Sequence, residues 1–263
     1  IKRILYLLLI LILNNTNVRG NNDGIRFVEN KGQWENQVNF NANVSGGKIW
    51  LEKNKISYQF IKYPNLHANF KSKEESIVEQ HVVWAEFIGA NNTSEIIKKD
   101  KSTDYFNYFI GNDQSKWISE AYAYSDITYT DFYPKTDFRV YIKNGYLKYD
   151  FVLKPESENN IQINFSGQDK QGELVIETSL GQIIEEKPYA YQIIDGIEKE
   201  VPSKFILKKN ILTFKLGNYD MSKELILDPT LIFASYNGSP SDNFGMTATY
   251  DEQGNLYTGG TVF

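Results

Sequence analysis

The 33 Asp and Glu residues are the groups in this sequence that could most readily carry out a reaction. A glycoside hydrolase needs two carboxyl groups about 5 to 10 Å apart across a cleft. The candidates for such a pair are Asp126, Asp131, Asp137, Asp150 and the adjacent Glu185 and Glu186. Acidic residues are also common on the polar face of strands, and spacing along a sequence does not show which carboxylates meet. The sequence therefore predicts no catalytic residue.

The sequence offers little support for a zinc site or for catalysis by histidine, serine or cysteine. The two histidines, His67 and His81, are too few for a zinc site, which needs three or four ligands at recognisable spacing. The nucleophile turn G-x-S-x-G does not occur, and the absence of cysteine excludes thiol nucleophiles and thiolate metal sites. We expect His67 to face solvent and His81 to lie at the edge of a strand, with no metal and no cofactor.

Two oxygen-rich turns near the end of the chain resemble weak calcium sites. They are Ser241-Asp242-Asn243 and Asp251–Asn255. The EF-hand pattern D-x-[DN]-x-[DN]-G is absent from both, and Gly254 is explained by turn geometry. We expect turns here rather than cation sites.

Aromatic residues make up 14% of the chain. Exposed rings on an exported β domain can stack on sugars or anchor a protein interface, whereas β-sheet cores also consume aromatic residues. We expect most of the rings to lie in a core and leave a binding surface open as the alternative. The residues considered are Trp34, Trp50, Trp84 and Trp117, with Tyr105, Tyr108, Tyr122 and Tyr124 as the tyrosines least committed to a core.

Short strands separated by turn signals must position these residues. Residues 211–216 alternate between apolar and polar, which is the pattern of a half-buried strand. Asp195-Gly196 and Asn144-Gly145 favour two-residue hairpin turns, and no amphipathic helix follows residue 20. These features predict an all-β, antiparallel β-sandwich-like domain, in which residues 172–235 run as one antiparallel meander.

Residues 1–20 have the features of a secretory signal peptide. Lys2 and Arg3 precede an apolar run over 4–13, whose ten residues are too short for a bilayer that needs about 20. Cleavage after Gly20 leaves no transmembrane segment and lowers the net charge from −5 to −8, because Lys2, Arg3 and Arg19 are lost. An acidic protein of this kind lacks the basic field that binds nucleic acid. We expect it at the cell surface or outside the cell.

The last 33 residues differ in character. A Gly/Ser/Pro/Asn stretch leads to a strand, a five-residue turn over 251–255 and a second strand that ends in Gly259-Gly260. This order is typical of the beginning of a β-propeller blade. Pro229 has no N–H to donate and should interrupt pairing before it. We predict a sandwich-like domain over 21–230 and an incomplete first propeller blade over 231–263, as a fragment of a longer protein.

Several segments together resemble the N-terminal domain of large exported bacterial cell-surface proteins that continue into SBBP-type β-propeller repeats. The resemblance implies an origin in the Bacteroidota and export through type IX secretion, and it supplies no catalytic residues to carry over. The segments that carry it are FVENKGQW, NYFIGNDQSKW, DITYTDFYPKTDFRVYIKNGYLKYDFVLKP, TSLGQIIEEKPYAYQ, VPSKFIL, LGNYDMSKELILDPTLIFASYNGS and DNFGMTATYDEQGNLYTGG.

Two functions stay open. The signal peptide and the lack of catalytic motifs favour a non-enzymatic module of a large cell-surface or secreted protein, acting in adhesion, scaffolding or ligand display. Its partner would be a protein or glycan ligand outside the cell. The alternative is a secreted carbohydrate-active enzyme or its sugar-binding accessory domain.

Overall fold

A computed structural model describes residues 25–44, 46–62, 78–143, 146–165, 168–170, 173–229, 231–235, 243–250 and 256–262. Over these ranges the chain forms 23 strands and one turn of 3-10 helix at Gln114–Lys116, which confirms the predicted all-β class. None of these residues belongs to a helix with the length and hydropathy that crossing a bilayer requires.

The strand bounds follow the turn signals in the sequence. In chain order the strands are β1 Phe27–Glu29, β2 Val38–Val44, β3 Gly47–Glu52, β4 Lys55–Lys62, β5 Glu79–Phe87, β6 Ile96–Lys99, β7 Tyr105–Tyr108, β8 Ile118–Tyr124, β9 Asp126–Tyr133, β10 Thr136–Lys143, β11 Tyr146–Leu153, β12 Gln162–Phe165, β13 Gln168–Lys170, β14 Glu173–Glu177, β15 Gly181–Glu185, β16 Tyr189–Ile194, β17 Ile197–Val201, β18 Ser203–Lys208, β19 Ile211–Leu216, β20 Leu225–Asp228, β21 Leu231–Ser235, β22 Asn243–Tyr250 and β23 Leu256–Val262.

These strands form four antiparallel sheets over the described ranges. The largest has ten strands in the order β18-β19-β12-β5-β4-β3-β2-β1-β8-β7. The second has seven strands in the order β17-β16-β20-β11-β10-β9-β6. A four-stranded sheet has the order β13-β14-β15-β21, and β22 pairs with β23.

The two large sheets face each other across one apolar core. Phe87 on β5 of the ten-stranded sheet contacts Phe132, Phe138 and Phe151 of the seven-stranded sheet, with ring centroids 4.8 to 6.0 Å apart. The four-stranded sheet adds Ile183 to the same core. Sheets that bury one face each against a common core form a sandwich-like fold, as the sequence predicted.

The prediction of a single meander over 172–235 is wrong. Its hairpins are divided among the sheets: β14 and β15 lie in the four-stranded sheet, β16, β17 and β20 in the seven-stranded sheet, and β18 and β19 in the ten-stranded sheet. The chain changes sheets between β17 and β18 at Pro202, which has no N–H for a continuous ladder. Alternation predicts each hairpin locally, but the sheet that a hairpin joins depends on where its apolar face is buried.

The predicted turns that fall within the described residues are confirmed. Asp195 and Gly196 have φ values of 55° and 77°, as a two-residue hairpin between β16 and β17 requires. Strands β10 and β11 pair up to Lys143 and Tyr146, and the Asn144-Gly145 turn itself lies outside the described residues. β20 ends before Pro229, and the chain resumes in a different sheet.

Residues 231–235 form β21, which pairs along the whole of β15 in the four-stranded sheet. β22 and β23 are the two strands predicted from the sequence and pair from Asn243 and Val262 to Tyr250 and Leu256, while the predicted turn over 251–255 lies outside the described residues. The assignment of 231–263 to a propeller stays a prediction.

Candidate functional site

One row of directly opposite residues crosses the outer face of the ten-stranded sheet. From β8 to β5 the row is Ala123, Val28, Asn41, Trp50, Ser57 and Trp84. The neighbours of Trp50 along β3, Ile49 and Leu51, are buried in the core, and so is Ala85 beside Trp84. Because side chains alternate between the faces of a strand, Trp50, Ser57 and Trp84 point away from the core. We call these three residues the tryptophan row.

Trp34 covers one end of this face. It packs with Tyr108 and Ile118 over a small apolar cluster of Val28, Ala121 and Ala123 that is separate from the main core. The Trp34 ring meets the Trp50 ring edge-on, with centroids 5.5 Å apart, and it meets Tyr108 at the same distance. Trp34 therefore joins the tryptophan row to the strands at the sheet edge.

Asn30 holds the loop that places Trp34. Its Oδ1 accepts hydrogen bonds from the backbone N–H groups of Gly32 (2.9 Å) and Trp34 (3.2 Å). Its Nδ2 donates to the carbonyl oxygens of Trp34 (3.3 Å), Glu35 (3.0 Å) and Val38 (2.8 Å). Gly32 has a φ of 118°, which L side chains rarely adopt. The segment FVENKGQW thus includes a loop in which the hydrogen bonds of Asn30 position Trp34.

Trp84 forms the open end of the row, since 49% of its surface is exposed. Between it and Trp50 lies Ser57, which is only 8% exposed and donates a hydrogen bond to Glu52 Oε1 at 2.6 Å. Trp50 Nε1 donates to Gln59 Oε1 at 2.9 Å, and Gln59 Nε2 donates to Gln80 Oε1 at 2.9 Å. The two indoles therefore stand on either side of a small, polar floor.

A second group of exposed rings lies at β7, an edge of the ten-stranded sheet as described. Phe109 and Trp117 contact each other at 5.3 Å, and Trp117 Nε1 donates to the carbonyl oxygen of Gly111 at 3.2 Å. We call this group the edge patch. Its exposed members are Tyr105, Phe106, Phe109, Ile110 and Trp117.

The four tyrosines expected to be least committed to a core differ in their burial. Tyr105 is exposed, as expected. Tyr124 is buried in the main core, 6.4 Å from the Phe40 ring, so the expectation that it is among the tyrosines least committed to a core is wrong. Tyr108 is half-buried against Trp34, and Tyr122 is half-buried with Lys101 Nζ 3.3 Å from its ring centroid. β8 pairs with β1 so that Tyr124 lies opposite Phe27, which is fully buried in the main core.

Four of the six candidate carboxylates form ion pairs on the outside of the seven-stranded sheet. Asp126 Oδ2 lies 2.6 Å from Arg139 Nη2, and Asp150 Oδ2 lies 3.9 Å from Arg139 Nη1. Lys154 Nζ bridges the other two, at 2.9 Å from Asp131 and 2.7 Å from Asp137.

Asp150 has the most unusual environment of these four. Its burial, reinforced by the nearby negative charge of Asp228, raises the pKa of Asp150 to about 7. Tyr141 donates a hydrogen bond to Asp150 Oδ1 at 3.2 Å, and the Arg139 guanidinium lies 4.3 Å above the Tyr141 ring. This cluster could hold a proton near neutral pH.

Glu185 and Glu186 do not act as a pair, because Glu185 is fully buried and Glu186 is exposed. Glu185 lies where the sheets meet: it accepts a hydrogen bond from the Tyr149 hydroxyl of the seven-stranded sheet, and its charge acts on Tyr58 of the ten-stranded sheet. Its Oε2 has no hydrogen-bond partner among the described residues. Burial raises the pKa of Glu185 to about 7.

His81 lies near the beginning of β5, and its Nδ1 is 3.1 Å from Ser179 Oγ. His67, Ser241-Asp242 and the Asp251–Asn255 turn lie outside the described residues. Within the described ranges no three His, Asp or Glu side chains are grouped closely enough to hold a metal ion.

A polar cavity of about 520 Å³ opens beside the Asn30 loop, lined by residues that include Asn30, Asn39 and Lys98. Lys98 Nζ forms an ion pair with Glu29 at 2.8 Å. This pair ties β6 of the seven-stranded sheet to β1 of the ten-stranded sheet, so these groups belong to the contact between the sheets.

No sequence pattern predicts the alignment of Trp50, Ser57 and Trp84, because the alignment depends on the register of three strands. No curated protein and no solved structure matches this chain. One family, described as a domain of unknown function (DUF7948), matches residues 27–230, a range that begins with β1 and ends just before β21. The chain therefore belongs to the DUF7948 family.

Proposed function

We propose that this domain is a non-enzymatic binding module of an exported protein, acting in adhesion, scaffolding or ligand display. The observation that carries the proposal is the tryptophan row, with Trp84 half exposed on the outer face of the ten-stranded sheet. Trp84 points away from the core and is not one of the residues that form it. A large amphipathic ring at such a position supplies binding area, and tryptophan is enriched among residues that dominate interfaces.

The surroundings of Trp84 support this proposal. Single exposed apolar residues are ordinary on protein surfaces. Here Trp84 is aligned with Trp50 across Ser57, Trp50 contacts Trp34, and Val82 is exposed beside Trp84 on β5. Exposed apolar side chains rimmed by polar groups are typical of interaction sites.

Export, attachment to SBBP-type propeller repeats, Bacteroidota origin and type IX secretion belong to the same proposal. They rest on the apolar leader over 1–20 and on the resemblance of the sequence segments. The full-length reading frame tests them, because a propeller protein must continue with further blades after residue 263.

Adhesion assays with the purified protein test the binding function. We expect labelled wild-type protein to be retained on bacterial cells and Trp84→Ala to lose at least 80% of that retention, on the order expected for an interface hot spot. Trp117→Ala is the matched control, because Trp117 is an exposed tryptophan outside the row. Equal retention of wild type and Trp84→Ala would overturn the proposal.

The second candidate is a carbohydrate-active enzyme, which the raised pKa of Asp150 favours, since a general acid needs a pKa near the working pH. Polysaccharide hydrolysis by wild type that disappears in Asp150→Asn would replace the first proposal by this one. We expect no turnover from either protein.

A further inference from the structure

We propose that the tryptophan row binds an extended, uncharged, β-linked glycan, with its sugar rings packed against Trp50 and Trp84 and passing over Ser57. This inference rests on the proposed function and names the class of ligand for the same surface. The spacing of the rings, the shape of the floor between them and the charges around them each support it.

The spacing of the two indoles fits a repeating chain of sugars. Trp50 on β3 and Trp84 on β5 are separated by one strand, and both lie opposite Ser57 on β4. Neighbouring strands are about 4.8 Å apart, so the two positions are separated by about 9.6 Å across the sheet. This separation is close to the length of a disaccharide unit in an extended β-linked chain, so every second sugar would meet an indole.

The residue between the two indoles has a small side chain. Ser57 is 8% exposed, and its hydroxyl donates a hydrogen bond to Glu52. A pyranose has an apolar C–H face, which suits an indole, and polar hydroxyl edges. The amides of Gln59 and Gln80 and the carboxylate of Glu52 lie beside the row and supply partners for those hydroxyls.

The charges on this part of the sheet favour an uncharged ligand. The outward-facing charged residues of β3, β4 and β5 around the row are Lys48, Glu52, Lys55 and Glu86, two of each sign. Lys55 pairs with Glu52 at 3.1 Å, and Lys48 Nζ lies 5.8 Å from the Trp50 ring. An anionic or cationic polymer would gain little from this balanced surface.

The position of the row in the sheet disfavours a peptide strand as the ligand. β3, β4 and β5 each have a neighbouring strand on both sides. An extended peptide adds to a sheet by pairing with an exposed edge, and the described neighbours of β3 and β4 leave none beside Trp50 and Ser57. A peptide that contacted these two residues would have to bind them by side chains alone.

Calorimetry with defined oligosaccharides tests this inference. The probes are cellohexaose, mannohexaose and chitohexaose, with an oligogalacturonate of the same length as the anionic control. We expect the purified protein to bind at least one uncharged hexasaccharide, the matching disaccharide at least tenfold more weakly, and the oligogalacturonate not at all. Trp84→Ala should weaken hexasaccharide binding at least tenfold, and Trp117→Ala should leave it unchanged.

The possible failures are distinguishable. If no uncharged hexasaccharide binds, while Trp84→Ala still abolishes cell adhesion and protease treatment of the cells removes the attachment, the ligand is a protein. The glycan inference then fails and the proposed function stands. If Trp84→Ala changes neither cell adhesion nor hexasaccharide binding, both fail. Unfolding midpoints of all variants within about 4 °C of wild type show that the comparison concerns folded proteins.

Discussion

The chemistry of Glu185 is set by its burial. The carboxyl group lies in the core beside Tyr149, and one of its oxygens has no partner among the described residues. A buried carboxyl group favours its protonated form, which raises the pKa of Glu185 from an ordinary value of 4.5 to about 7. The folded protein therefore holds this proton more tightly than the unfolded chain does.

Replacing Glu185 by Gln should flatten the pH dependence of stability. Protonated Glu185 is accommodated at low pH, so its contribution is fully present below about pH 4.5 and is lost as the pH rises through about 7. Between pH 5 and pH 8 we expect wild type to lose about 2.5 kcal/mol of unfolding free energy relative to Glu185→Gln. Urea unfolding at a series of pH values measures this difference in slope.

The adjacent exposed residue provides the control. Glu186→Gln removes the same charge from the surface and should keep the wild-type pH dependence. A Glu185→Gln profile parallel to that of wild type would show that Glu185 is ionised in the fold at no cost. An offset that is the same at every pH would reflect only the buried amide of the new side chain.

At the scale of elements, the loop between β1 and β2 places Trp34 beside the candidate binding surface. The side-chain oxygen of Asn30 accepts hydrogen bonds from two backbone N–H groups, and its amide nitrogen donates to three backbone carbonyl oxygens. The loop in turn holds Trp34 against Trp50. The position of Trp34 beside the tryptophan row thus depends on the hydrogen bonds of Asn30.

Asn30→Asp should loosen this loop. The substitution keeps the shape but replaces the amide donor by an oxygen that faces three carbonyl oxygens. We expect a loss of about 1–3 kcal/mol in unfolding free energy, together with a change in tryptophan fluorescence. Asn36→Asp, an exposed position in the same loop, should leave both unchanged. Equal effects of the two substitutions would contradict the role of Asn30.

At the scale of the whole molecule, the aromatic contacts of Phe87 join the two large sheets. Its ring meets three rings of the opposite sheet within 6.0 Å. Because the four-stranded sheet shares the same core, we expect the three sheets to unfold together.

Phe87→Ala tests this coupling. Removing a buried phenylalanine ring should lower the unfolding free energy by about 3–5 kcal/mol, and the midpoints followed by far-UV circular dichroism and by tryptophan fluorescence should move together. Ile88→Ala, at the exposed neighbouring position, should change stability by less than about 1 kcal/mol. Separate transitions for the two probes would show that the sheets unfold independently.

The sequence by itself determined the fold class, the hairpin turn at Asp195-Gly196 and the break at Pro229. These features depend on neighbouring residues: alternation within a strand, a turn dipeptide with positive φ, or a proline without an N–H. The same local rules misjudged Tyr124, because its burial depends on the pairing of β8 with β1, which places it opposite Phe27 on the core face.

Only the tertiary structure decided which residues meet. The division of 172–235 among three sheets, the burial of Glu185 beside Tyr149 and the alignment of Trp50 with Trp84 across Ser57 each join residues from different strands. These contacts and alignments are determined by strand register and by the packing of several sheets on one core. Register and packing minimise the free energy of the whole chain, so no short stretch of sequence contains them.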